Sequence, residues 1–177
     1  MLHLNSMIRD DFFFDPFGVF SCHDGPIEFL PNNLRWFVWK YYPSETLPAN
    51  FEPKRLVHLH LECSLLRQLW TEIKYLTNLK TLDLSFSKRL IQTPNFKGMP
   101  SLETLHLKGC INLEEVHQSL GYCKKLIFLN LKECKSLKRL PSSFHAACLK
   151  YLDLEECSSL ENFPHILGSM CLLVVRE

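Results

Sequence analysis

Three side chains that could bind a metal ion recur at equal intervals: His60, Asp83 and His106, each 23 residues from the next. Imidazole and carboxylate groups are common ligands of transition metals in proteins. If the interval places these residues on adjacent parallel strands, the outer two lie about 9.6 Å apart, which is wide for tetrahedral coordination. We therefore expect solvated polar side chains here, with no metal and no cofactor.

Residues suited to acid-base or nucleophilic catalysis form no recognisable constellation. The acidic pairs Glu114–Glu115 and Glu155–Glu156 are consecutive, so their side chains diverge and do not face each other across a cleft. The glycine patterns of phosphate-binding loops and the serine elbow of hydrolases do not occur, and the chain has only six glycines. We therefore expect a binding protein without catalytic residues, not an enzyme.

A repeat positions these residues along the chain. Six segments follow the pattern L-x-x-L-x-L, beginning at Leu34, Leu56, Leu79, Leu102, Leu126 and Leu149, at intervals of 22, 23, 23, 24 and 23 residues. A small or sulfur-bearing residue follows each later segment, at Ser64, Ser87, Cys110, Cys134 and Cys157. An apolar residue then closes each unit, at Phe51, Ile73, Phe96, Leu120, Phe144 and Ile166.

This repeat predicts an α/β fold of the leucine-rich-repeat type. Alternation within x-L-x-L gives a short strand whose leucines point inward. A single unit cannot bury its leucines alone, whereas stacked units form one continuous core. We expect a solenoid with a curved parallel sheet on its concave face. The return segments on the convex face should be irregular or short helices.

The residues between the inward leucines form three columns on the outer surface of the curved sheet. We refer to these three columns together as the concave face. They read Trp36, His58, Thr81, Thr104, Phe128, Tyr151; then Val38, His60, Asp83, His106, Asn130, Asp153; then Lys40, Glu62, Ser85, Lys108, Lys132, Glu155. Aromatic residues at the ends with mixed charge between them are typical of protein interfaces. All of these residues except Thr104 and Ser85 are candidate contacts for a protein partner.

The eight cysteines indicate a reduced environment. Cys110, Cys134 and Cys157 occupy a repeat position where many leucine-rich repeats have asparagine, and a thiol there is a small, largely apolar filler. The chain has no visible signal peptide and no Asn-x-Ser/Thr sequon. We expect structural thiols in an intracellular protein of the cytoplasm, with the nucleus as a second location.

We divide the chain into three parts. Residues 1–33 form an N-terminal cap, or a junction to an upstream domain, with aromatic residues over 10–30 in a loop that covers the first strand. Residues 34–171 form the six repeats. Residues 172–177, which begin with Leu172, form the start of a truncated seventh repeat, so we expect a gene fragment or a partial product.

Composition and charge favour a soluble, globular, protein-binding chain. Lys and Arg number 20 against 19 Asp and Glu, which gives no electrostatic reason to expect nucleic acid or a membrane as a partner. The short basic groups Lys124–Lys125, and Lys135 with Lys138–Arg139, are interpreted as solvated turn positions beside acidic residues.

Beyond the repeat itself, the amino-acid sequences of particular segments resemble one family. These segments are LPNNLRWF (30–37), FEPKRLVHLHL (51–61), LRQLW (66–70), LDLSFSKRLIQTPNFKGMPSLE (82–103), LEEVHQSLGYCKKL (113–126) and CKSLKRLP (134–141). They are similar to the intracellular plant nucleotide-binding leucine-rich-repeat immune receptors. Within that family they resemble the branch with an N-terminal Toll/interleukin-receptor domain.

The resemblance implies a role in plant defence. In that family the repeats follow a nucleotide-binding switch, restrain it at rest and help to recognise a pathogen effector. The expected partners are therefore an effector and the nucleotide-binding domain of the same or a related receptor. The family's ADP/ATP-binding and NAD-cleaving residues have no matching positions in this chain, so none are assigned.

Two other classes of repeat protein fit less well. A substrate adaptor of a ubiquitin ligase needs an F-box module before its repeats, and residues 1–33 are too short and too aromatic to form one. An extracellular receptor would carry a signal peptide, sequons and paired capping cysteines, and none of these features is seen in the sequence.

Overall fold

One parallel sheet runs the length of the chain. The computed structural model describes residues 11–13, 27–141, 143–145, 148–161, 165–167 and 174–176, and it describes side chains over 27–141 and 148–161. Within these residues the sheet has eight strands, in the order β1 (Asp11–Phe13), β2 (Trp36–Val38), β3 (His58–His60), β4 (Thr81–Asp83), β5 (Thr104–His106), β6 (Phe128–Asn130), β8 (Tyr151–Asp153) and β10 (Val174–Arg176). A second sheet pairs β7 (Ser143–His145) with β9 (His165–Leu167).

The register of the sheet follows the repeat. The central residue of each repeat strand pairs with the central residue of the next, giving the series Phe37, Leu59, Leu82, Leu105, Leu129, Leu152. Each of these side chains is fully buried, and burying a leucine contributes about 1.5–3 kcal/mol. The predicted leucine-rich-repeat solenoid is confirmed.

The return segments are irregular, as expected. Two of them contain a short 3-10 helix, at Phe96–Gly98 and Gln118–Tyr122. A helix with the length and apolar character needed to span a bilayer does not occur in the part of the chain that the structure describes.

Strand pairing also extends outside the six repeats. Phe12 in β1 lies opposite Phe37, inside the segment for which a covering loop was predicted. Because that segment lacks the leucine pattern, the repeat did not predict this strand. At the other end Val175 lies opposite Leu152, an interval of 23 residues. Leu172 lies outside the described residues, and the division into three parts stays a prediction.

One of the apolar residues that close the repeats faces solvent. Ile73 is 40% exposed, whereas Lys74 is 5% exposed and turns inward. The Lys74 amine donates to the Ala49 carbonyl at 2.6 Å and lies 3.6 Å from a carboxylate oxygen of Glu52, so this buried cation is partnered. The corresponding residues Phe51, Phe96 and Leu120 are buried, and the side chains of Phe144 and Ile166 lie outside those described.

A left-handed residue follows each repeat strand, with the same period as the leucines. These residues are Tyr41, Cys63, Phe86, Gly109, Glu133 and Glu156, with φ between 56° and 70°. The left-handed conformation costs a non-glycine residue about 1–2 kcal/mol. It lets backbone N–H groups continue the ladder beyond the strand, as from Tyr41 to the Glu62 carbonyl at 2.9 Å. The sequence did not reveal this position because glycine occupies it only once.

The return segments of two repeats lie close together at Gly98. A Cβ atom there would overlap the backbone carbonyl of Lys74 and lie 2.9 Å from the Tyr75 Cα. Overpacking of this kind costs about 1–3 kcal/mol. We expect Gly98→Ala to lower the urea midpoint of unfolding, with Thr77→Ala, an exposed turn substitution, as the control. Equal midpoints for the two variants would show that the backbones are not in contact here.

Candidate protein-binding surface

The predicted columns of the concave face are true rows across the sheet. Strand register places Trp36, His58, Thr81, Thr104, Phe128 and Tyr151 side by side. It does the same for the column that begins at Val38. The sequence therefore placed the strand residues of this surface correctly, although whether they bind a partner is a separate question.

An aromatic stack lies at one end of the first column. The Trp36 and His58 rings stack with centroids 3.7 Å apart and planes 21° apart. Trp36 is 38% exposed, so a large apolar ring faces solvent. Burial, and secondarily the charge of His60, lower the pKa of His58. The imidazole is therefore neutral near pH 7.

A second aromatic stack lies at the other end. The Phe128 and Tyr151 rings are parallel to within 3°, with centroids 4.4 Å apart. The His106 ring lies 4.8 Å from Phe128. The Tyr151 hydroxyl donates to an oxygen of Asp153 at 2.7 Å, which fixes the tilt of the outer ring. Both stacks are thus preformed, with the rings already in contact.

Small residues separate the two stacks. His58 and Phe128 are three strand spacings, or about 14 Å, apart. Thr81 and Thr104 lie on the two strands between them. Because threonine is shorter than the flanking rings, the first column has a low centre between two higher aromatic walls. This relief could accept a complementary protuberance of a partner protein.

The second column contains residues whose main contacts are with the backbone. One oxygen each of Asp83, Asn130 and Asp153 accepts the N–H two residues later, at 2.9, 3.0 and 3.1 Å. Asp153 is only 2% exposed, so it stabilises the turn and has almost no surface to offer a partner. We therefore remove Asp153 from the candidate contacts. It was included because the sequence alone does not distinguish a capping carboxylate from an exposed one.

The third column pairs its own charges. Lys40 lies 3.3 Å from Glu62, and Lys132 lies 2.8 Å from Glu155. Hydrogen bonding to these carboxylates raises the pKa of both lysines. Lys108 instead reaches Glu133, at 3.5 Å, in the turn beyond the next strand. The neighbouring charges largely cancel, so the aromatic stacks are the more distinctive feature of the face.

The histidines and acids of this face do not form a metal centre. Among the residues that the structure describes, three or more His, Cys, Asp or Glu side chains nowhere come together as a set of ligands. His60 Nε2 is buried without a hydrogen-bond partner. A single orphaned nitrogen is a cost of packing and does not hold a cation.

The small-residue column forms a hydrogen-bond ladder under the turns. The thiols of Cys110, Cys134 and Cys157 donate to the carbonyls of Leu84, Leu107 and Leu131 at 3.1–3.2 Å. In the earlier repeats the Ser87 hydroxyl does the same for the Leu61 carbonyl at 3.2 Å. Burial raises the pKa of Cys110 to about 12 and that of Cys157 to about 11, and it raises that of Cys134 as well. The prediction of structural thiols is confirmed.

Comparison with known proteins gives a consistent set of relatives. The chain is 59% identical to TMV resistance protein N of Nicotiana glutinosa over 115 residues, which is 65% of the chain and 10% of that protein. It is 46% identical over 98 residues to disease resistance protein RPV1 of Vitis rotundifolia, covering 55% of the chain and 7% of the relative. It is 37% identical over 124 residues to RPP2A of Arabidopsis thaliana, covering 70% and 10%. No protein-family model matches the sequence.

These relatives are far longer than the chain, which spans about a tenth of their length or less. The likeness therefore describes one segment of a disease resistance protein.

The thiols of Cys110, Cys134 and Cys157, which we call the thiol ladder, predict a pattern of chemical reactivity. The thiolate is the nucleophile, and Cys110 and Cys134 are buried with raised pKa values, whereas Cys148 is exposed. Treatment of the folded chain with iodoacetamide at pH 8, followed by peptide mass spectrometry, should modify Cys148 at least tenfold faster than the two buried thiols. The difference should vanish in urea. Equal rates without urea would rule out the buried ladder.

The lowered pKa of His58 predicts a dependence of stability on pH. The folded chain binds a proton at this site less readily than the unfolded chain, so protonation favours unfolding. Stability should therefore decrease as pH falls below about 6.5, the ordinary histidine value. We expect a smaller decrease in the melting temperature of His58→Gln between pH 7 and 5.5. An identical decrease in both proteins would contradict the partly buried, neutral imidazole.

Proposed function

We propose that this chain, which is similar to a segment of plant disease resistance proteins, binds other proteins through its concave face as part of an immune receptor. The single observation that carries the proposal is the pair of preformed aromatic stacks, Trp36–His58 and Phe128–Tyr151, displayed on one solvent-facing column. Tryptophan, tyrosine and arginine provide most of the binding energy at protein interfaces.

The surroundings of the stacks support protein binding. The nearby lysines are already paired with glutamates, so a partner does not have to supply matching charges. Preformed stacks lose little side-chain entropy when they bind. Apolar anchors within a polar rim are typical of the centre of a protein interface.

We further propose two partners, both suggested by the resemblance to immune receptors. One is a pathogen effector. The other is the nucleotide-binding domain of the same or a related receptor, which the repeats would restrain at rest. Binding the second partner holds the switch inactive, and release of that contact on effector binding allows signalling.

Co-precipitation with the nucleotide-binding domain of a related receptor tests this function. The double variant Phe128→Ser/Tyr151→Ser removes one stack and should weaken capture by roughly tenfold or more, the loss expected from an interface anchor. The matched control is Tyr75→Ser, which removes an aromatic ring that is 69% exposed but lies outside the concave face. Circular dichroism establishes that each variant is folded.

Two results would count against the proposal. One is capture of wild type and of the double variant to the same extent. The other is a loss of capture in Tyr75→Ser alone, which would move the interface to the convex face.

A further inference from the structure

Basic side chains gather at one edge of the sheet, where the strands begin. We define the basic edge as the two residues before and the one residue after the first leucine of each repeat. Over the described residues it holds seven cations and one acid, namely Arg35, Lys54, Arg55, Lys80, Lys124, Lys125 and Lys150 against Glu103. The whole chain has a net charge of only +1, so the charge is strongly segregated.

Most of these cations have no ion-pair partner among the residues that the structure describes. Lys80 lies 3.0 Å from Glu103, but no described carboxylate lies within 4.0 Å of the other six. The opposite edge of the sheet differs, since Lys40, Lys108 and Lys132 each contact a glutamate there. The same scaffold therefore neutralises its lysines at one edge and leaves them unpaired at the other.

This finding corrects part of the sequence interpretation. Lys135, Lys138 and Arg139 do lie beside acids, at 3.8, 3.5 and 3.9 Å from Glu156, Glu114 and Glu115. Lys124 and Lys125 are exposed turn residues as expected, but no acid accompanies them. The equivalent positions three repeats earlier are also basic, at Lys54 and Arg55, which sequence order alone did not reveal.

The backbone along the basic edge is hydrogen-bonded from one repeat to the next. The residues that follow the first leucines form a ladder, with Val57 N–H donating to the Arg35 carbonyl at 2.7 Å and Lys150 N–H to the Ile127 carbonyl at 2.8 Å. The Asn78 side chain holds the Lys54 carbonyl at 2.9 Å. Lys54–Arg55 and Lys124–Lys125 occupy the same turn three repeats apart, or about 14 Å. The cations are therefore held at fixed positions along one line.

We propose that the basic edge is a second interaction surface and that it binds an acidic segment of a protein. Exposed cations without ion-pair partners along one edge create a local positive potential, which a segment rich in carboxylates would complement. Ile127, 38% exposed, lies within the line between Lys125 and Lys150. An apolar side chain there suits a polypeptide that mixes acidic and apolar residues more than it suits a phosphate backbone. The proposal does not depend on the concave face.

Fluorescence anisotropy with the full 177-residue chain tests the proposal. The probe is a labelled 12-residue peptide of glutamates with two leucines, compared with a single-stranded 12-nucleotide RNA. The variant Lys124→Glu/Lys125→Glu reverses charge on the basic edge. The matched control is Arg67→Glu/Lys88→Glu, which makes the same change in net charge at exposed residues away from the edge. Melting temperatures establish that both variants fold.

We expect the edge variant to bind the acidic peptide at least tenfold more weakly than wild type, and the control to stay within about twofold. Wild-type binding should weaken between 50 and 300 mM NaCl, because salt screens exposed charges. Equal losses in the two variants would overturn the proposal by showing non-specific attraction, as would the absence of peptide binding. Tighter binding of the RNA than of the peptide would assign the edge to nucleic acid. None of these outcomes bears on the concave face, whose test uses different residues.

Discussion

The structure depends on one constraint, which is that no repeat can bury its leucines or satisfy its backbone without a neighbour. Each strand is three residues long and pairs with the strand of the next repeat. Isolated strands of this length are not stable. Stacking makes the core continuous, from Phe37 through Leu152. The concave face, the thiol ladder and the basic edge all inherit their geometry from this period.

Polar contacts between repeats reinforce the same stacking. A serine or cysteine in each later repeat donates to a strand carbonyl of the repeat before it, as in Ser87 to Leu61 and Cys134 to Leu107. A left-handed residue after each strand extends the backbone ladder. Since these contacts occupy the interior and the turns, the side chains of the outer columns remain available for recognition. This separation lets one scaffold support different binding surfaces.

The period of the leucines was enough to predict the fold and the columns of the concave face, because strand register follows directly from a constant repeat. It did not predict the strand at Asp11–Phe13, where no leucine pattern exists. It did not show that Lys74 turns toward the interior while its neighbour Ile73 faces solvent. It also did not separate the capping role of Asp153 from exposure, or show that unpaired cations align across repeats. The cap depends on how the Asp153 side chain turns toward a backbone N–H two residues away, and the alignment of cations depends on which positions stacking places along one edge.

The most direct test of the central claim is a nuclear magnetic resonance titration of the labelled chain with the nucleotide-binding domain of a related receptor. If the concave face binds the partner, we expect the largest changes in chemical shift and the strongest line broadening at the Trp36 indole and at residues of the first column, from His58 to Tyr151. Changes confined to the convex face, around Tyr75 and Tyr122, with the Trp36 indole unaffected, would contradict it.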